Sequence, residues 1–142
     1  MADVTLIEAL LLALGIGFVS GLRVMTSLAA LALTRGGVWG IVLSIAALGE
    51  YAADMSPKIP SRTAFPSIVA RPLSGAIAGW LIAAWHGGSP VAGAVAGIAG
   101  ALAGTYGGHA ARLWSIDRIG AVPAALAEDV VAIALAAFLV TR

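Results

Sequence analysis

The sequence predicts an all-α bundle built for a bilayer, and three observations carry that reading. Of the 142 residues, 61% are hydrophobic and 11% charged, whereas a soluble domain is typically about 45–50% apolar and about 25% charged. Mean hydropathy is +1.01. The apolar residues also fall into runs long enough for helices that cross a hydrocarbon core, which takes about 20 residues. Glycine, proline and isolated charges punctuate the runs. At this length the chain makes one transmembrane domain, residues 1–142, with no room for a soluble module.

Five membrane segments can be drawn in order. The first runs from Val4 to Thr34 and ends at Arg35-Gly36-Gly37, where two glycines suit a helix stop. Its leading MADVTLIE carries acids where a secretory signal would be basic, so the segment reads as retained. The second, Val38 to Ala53, closes in Glu50-Tyr-Ala-Ala-Asp54. A polar stretch from Met55 to Pro66 follows, and its three prolines forbid a continuous helix. The third segment, Ser67 to Trp85, opens on Arg71-Pro72, read as a first-turn proline, and closes at His86-Gly87-Gly88. The fourth, Val91 to Trp114, is nearly all small residues. The fifth starts with Pro123 in its first turn and runs to Val140.

Gly93, Gly97, Gly100 and Gly104 recur at spacings of four and three, which puts them on one helix face. Small faces of this kind let two backbones approach in lipid, so these glycines are expected to pack helices, and a homo-oligomer is expected to form through them. Trp39, Trp85 and Trp114 fall at segment ends, as interfacial indoles do. Trp80 falls inside a segment and is expected to be packed. With five spans the N-terminus shares a side with Lys58, Arg62, Arg112 and Arg118, so the positive-inside rule places it in the cytoplasm.

Arg23 is the residue that most needs a reason. Counted from Ala9 at 1.5 Å per residue, it lies about 21 Å into the hydrocarbon, where a charge is expensive and usually faces the bundle interior. Glu50, counted down from Val38, falls about 12 Å from the cytoplasmic face and is the expected ion partner. The pathway set read from the sequence is Arg23 and Glu50 with Gly17 and Gly21, and beyond them Asp54, Arg112 and Glu128. Lys58, Arg71 and Asp129 complete the wider constellation, Lys58 and Arg71 at the cytoplasmic interface. Glu128 and Asp129 are adjacent and cannot share one helix face, so one is expected to face protein or a cavity and the other to reach the interface.

Gly17-x-x-x-Gly21-x-Arg23 in the first segment echoes Gly104-x-x-x-Gly108-x-x-x-Arg112 in the fourth, and Leu48-Gly-Glu50 echoes Leu126-Ala-Glu128. Paired this way, the segments would form an inverted repeat with Gly-broken helices, a recurring transporter design. The depth of Glu128 does not fit that repeat, because it counts to the same side as Glu50.

Several functions are set aside. The eight Lys and Arg are scattered singly at a net charge of +1, which offers no surface to nucleic acid. Cysteine is absent, which excludes disulfides and thiolate sites. His86 and His109 lack second ligands at helical spacing, so no metal site is expected. No serine or threonine sits in a nucleophile motif and no phosphate loop is present; neither an enzyme nor a cofactor is expected.

Ala13-Leu-Gly-Ile-Gly17, Ser20-Gly-Leu-Arg23, Glu50-x-x-x-Asp54-x-x-x-Lys58-Ile-Pro60 and Arg71-Pro-Leu-Ser-Gly75-Ala together resemble a family of small bacterial membrane proteins catalogued as domain of unknown function 4126. The resemblance covers most of the chain from Leu10 onward. It implies a multi-span protein of the bacterial inner membrane and supplies no activity. The residues themselves point to a small transporter or channel for a small solute or ion. The competing expectation is a structural or lipid-interacting scaffold whose charges only set helix register.

Overall fold

A computed structural model describes residues 2–54 and 67–141. Lys58, Arg62 and the side chain of Asp54 lie outside the described residues. The chain forms α1 (Ala2–Leu22), α2 (Val24–Arg35), α3 (Val38–Asp54), α4 (Ser67–Trp85), α5 (Pro90–Ile119) and α6 (Ala121–Val140). Stretches of α1, α4, α5 and α6 are long and apolar enough to cross a membrane, while α2 and α3 are shorter apolar helices. Large hydrophobic side chains such as Leu11, Ile45, Val95 and Val130 point outward. A surface this apolar is that of a helical membrane protein.

The centre is a three-helix pack of α1, α4 and α5. A Cβ added to Gly17 would stand 2.7 Å from the Cα of Gly97, and one on Gly21 would stand 2.6 Å from the amide nitrogen of Thr105. On the α4 side, Gly75 and Gly79 meet Gly97 and Gly93 just as closely. The expected packing glycines Gly93, Gly97, Gly100 and Gly104 are therefore all used within one chain. That corrects the expectation of an oligomer joined through this face, because no backbone of a second copy can reach it. It also corrects Gly17 and Gly21 as pathway lining, since α5 backbone fills the space beside them.

The first segment is not one span. It breaks at Arg23, and α2 turns back along α4: Ser27 lies beside Ser74 near the break, and Arg35 stacks on Trp85 at the other end. Leu31 of α2 joins Leu12, Ile16, Val19 and Ile82 in the buried core. A 12-residue α2 puts Arg23 about 18 Å from the Arg35–Trp85 end, and nine residues of α6 put Asp129 about 13 Å from the α5–α6 turn. Those depths add up to about 30 Å, the thickness of a hydrocarbon core. Arg23 thus lies well inside the bundle, between the two sets of turns.

The reversal changes three expectations. α1 and α5 run the same way, with Gly17 at Gly97 and Gly21 at Ala101 and Gly104, so their Gly-Arg motifs are not inverted copies. α5 is also continuous through Gly104, Gly108 and Arg112. The N-terminal side of the bundle, where Ala9 meets Gly88, lies opposite the ends of α3 and α4 that flank residues 55–66. The N-terminal end of α1 therefore does not share a side with the facing ends of α3 and α4, and the ground for placing the N-terminus in the cytoplasm is removed.

Local chemistry fits the helix ends. Gly36, Gly37 and Gly87 hold φ of 74°, 92° and 73° at the two turns on that side, a region L-residues avoid. Ser89 caps α5 by accepting from the Ala92 amide at 3.3 Å, with Pro90 just after it. Pro72 lies in the second turn of α4 rather than the first, because the helix starts at Ser67. Trp80 is 47% exposed, which corrects its assignment as packed: the glycines of α4 take the inward face and leave the indole outside.

Candidate functional site

Breaking a helix within hydrocarbon exposes backbone groups at both new ends, and each group left unsatisfied there costs several kcal/mol. The structure supplies partners for several of these groups around Arg23. This residue is extended, φ −144° and ψ 115°, and its own N–H still donates to the Val19 carbonyl at 2.7 Å. The last carbonyls of α1, on Gly21 and Leu22, accept from the Arg71 guanidinium, the latter at 3.0 Å. The first amides of α2, on Val24 and Met25, donate to the two carboxylate oxygens of Glu50 at 2.8 and 2.9 Å. A carboxylate at a helix N-terminus also meets the favourable end of the helix dipole.

Glu50 thus serves α2 as an N-cap supplied from α3. This alters the pairing expected from the sequence, because Arg23 donates to the Asp129 carboxylate of α6. Both are deeply buried, Arg23 at 1% and Asp129 at 8% exposure. The reason is the reversal: it leaves Arg23 at the tip of a hairpin, from which its side chain reaches α6, while Glu50 arrives beside the amides that follow the break.

A cluster of hydroxyls lies just beneath the break. Ser20 and Ser27 are 2.5 Å apart, Ser74 is 3.4 Å from each, and Ser74 donates to the Val24 carbonyl at 2.8 Å. Thr105 of α5 is buried at the same level and bonds the Ala101 carbonyl at 2.7 Å. Below these the core is apolar, sealed by Ile16, Leu31 and Ile82.

The second ion pair is Arg112 with Glu128 at 3.5 Å. Glu128 and Asp129 both face protein, against Arg112 and Arg23, with side chains 9% and 11% exposed, which corrects the expectation that one of them reaches the interface. The Arg112 pair borders a cavity of about 260 Å³ between α1, α5 and α6, lined also by Phe18, Leu22, Gly108 and Ala124. Leu22 and Glu128 neighbour Arg23 and Asp129 in sequence, so this cavity stops one residue short of the buried pair. In all, the guanidiniums of Arg23, Arg71 and Arg112 are held among the carboxylates of Glu50, Glu128 and Asp129 and the α1 carbonyls. The set balances in charge, which is how charged groups persist inside a membrane.

Of the residues expected in the pathway, the structure gathers Arg23 and Glu50 at the break and Arg112 and Glu128 beside it. Arg71 was expected at the interface but is 5% exposed and caps α1. Its signal in the sequence was a charge followed by proline inside an apolar run; nothing there said that another helix would end against it. His86, in the turn just past α4, bonds the Ile82 carbonyl at 2.9 Å. Comparison with protein families, with characterised proteins and with solved structures finds no match to this chain. The site's geometry therefore carries the functional argument alone.

Proposed function

We propose that this chain is a small transporter or channel of the bacterial inner membrane, passing a small solute or ion at the broken α1–α2 hairpin. The observation that carries the reading is the break itself: two half-helix ends meet at intramembrane depth among Arg23, Asp129, Glu50 and Arg71. Irregular backbone at this depth is tolerated where it is enclosed by protein or lines a cavity, and discontinuous helices of this kind form substrate sites in many transporters. Access runs from the α5–α6 turn through the cavity at Arg112 and Glu128, and the apolar core closes the other side. No catalytic step and no cofactor belong to this reading. Membership of the family it resembles, domain of unknown function 4126, is part of the same proposal. A homo-oligomer remains part of it too, joined through a face other than the glycine face of α5.

The orientation proposed here follows from the reversal. Arg112 and Arg118 belong to the end nearer Arg23, where α3 ends and α4 begins, so the positive-inside rule turns that end to the cytoplasm and the N-terminus outward.

A scaffold without transport is the second reading, and one observation favours it: both ends of the break are already capped by the protein's own side chains. Solid-supported-membrane recordings on proteoliposomes separate the two. Transport predicts currents above those of empty liposomes for at least one member of a panel of inorganic ions and small organic acids and amines, lost in a folded Asp129→Asn variant. Folded protein that is silent across the panel, in symmetric and pH-graded buffers, supports the scaffold and ends the transport reading.

A further inference from the structure

α3 and α6 each pack against α2 but do not close on one another. Between them runs a groove of about 480 Å³, with Ala30 and Leu33 on its floor and Ala47, Ile133, Ala137 and Val140 on its walls. The hydroxyls along it are turned into backbone: Thr34 bonds the Leu31 carbonyl, Ser44 that of Gly40 and Thr141 that of Ala137, at 2.7, 2.7 and 2.8 Å. The lining as a whole is apolar and suits hydrocarbon.

Size decides which hydrocarbon. The groove follows α2 from Thr26 to Thr34, about 12 Å of helix rise, which leaves a mean cross-section of about 40 Å². An extended alkyl chain is slender enough to lie along it.

Position decides its source. The groove begins where α2 and α6 end and stops a turn short of Arg23 and Asp129, so it occupies one leaflet. Arg35, the residue after Thr34, is exposed at that end and held 4.0 Å over the Trp85 ring. A cation fixed at headgroup level beside an acyl-sized slot complements a phosphate.

We infer that the groove is a binding site for one acyl chain of a phospholipid from the leaflet at the Arg35 end, with Arg35 holding the phosphate. This inference does not depend on transport. The test is native mass spectrometry of the full chain with phosphatidylglycerol, joined to photolabelling by the same lipid carrying a diazirine in its tail. One lipid is expected to stay bound per chain, with label concentrated on α2, α3 and α6. Arg35→Gln is expected to weaken retention about fivefold, and Ala137→Phe, which fills the slot, to abolish it. Label spread evenly over α1, α4 and α5 as well, or retention unchanged in Arg35→Gln, overturns the site. So does a chain-to-chain crosslink between Ala47→Cys and Ala137→Cys, which would put a second copy there. Should Ala137→Phe fail to fold, the label map and Arg35→Gln decide alone.

Discussion

Replacing Arg23 with methionine removes the guanidinium against which Asp129 is buried. Arg23 is 1% exposed and Asp129 8%, so little solvent screens the loss. Breaking a buried pair by deleting one partner costs roughly 3–5 kcal/mol, whereas exchanging both partners for apolar residues of similar volume is often neutral or better. For a chain of this length a loss of that size lowers Tm by roughly 10–20 °C. The double variant Arg23→Met/Asp129→Leu is expected to recover most of it. Arg23→Met/Glu50→Leu is expected to be worse than Arg23→Met, because Glu50 caps the Val24 and Met25 amides. Thermal unfolding in detergent, followed through the four native tryptophans and checked by gel filtration, reads all three. Recovery with Glu50→Leu and none with Asp129→Leu would refute the assigned pairing.

The same contacts give further expectations. Glu50→Gln leaves one of the two α2 amides without a carboxylate oxygen and should cost about 1–3 kcal/mol, and Glu50→Ala more, measured by the same unfolding. Gly97→Ala places a methyl 2.8 Å from the Gly75 carbonyl carbon and 3.1 Å from the Gly79 Cα, which should cost about 1–3 kcal/mol through overpacking. Gly107→Ala, on the same helix but in open space, should be neutral or stabilising by up to about 1 kcal/mol; equal effects at the two positions would contradict the packing described. Because the chain lacks cysteine, single-cysteine labelling is clean. Ser89→Cys is expected to react with a membrane-impermeant thiol reagent from outside the cell, and Asp117→Cys only after the membrane is permeabilised. The reverse pattern would overturn the proposed orientation.

Most helix limits were legible because they rest on local chemistry. Glycines able to take positive φ at Gly36 and Gly87, Ser89 with Pro90, and Pro123 near the start of α6 mark ends that need no distant partner. The packing role of Gly93 to Gly104 was legible for the same reason, since their spacing sets one face of one helix. The break at Arg23 was not. The run from Leu10 to Leu33 carries no charge apart from this arginine, and an unbroken helix satisfies its own amides and carbonyls. A break becomes tolerable only when Glu50, Arg71 and Ser74, dozens of residues away, arrive to bond the freed groups.

Composition and the lengths of its apolar runs determined by themselves that this chain is a helical membrane protein, since no arrangement at this size could hide so much hydrocarbon from water. They also determined that Arg23 must be enclosed, because a charge at that depth has no stable place against lipid. Only the tertiary structure decided what encloses it. Turning α2 back along α4 exchanged the expected partner Glu50 for Asp129, moved the N-terminus to the side opposite the end of α3 and the start of α4, and used the glycines of α5 inside one chain. Each outcome depends on which backbones meet in space, and that is set by the fit of whole helix faces rather than by any local stretch of residues.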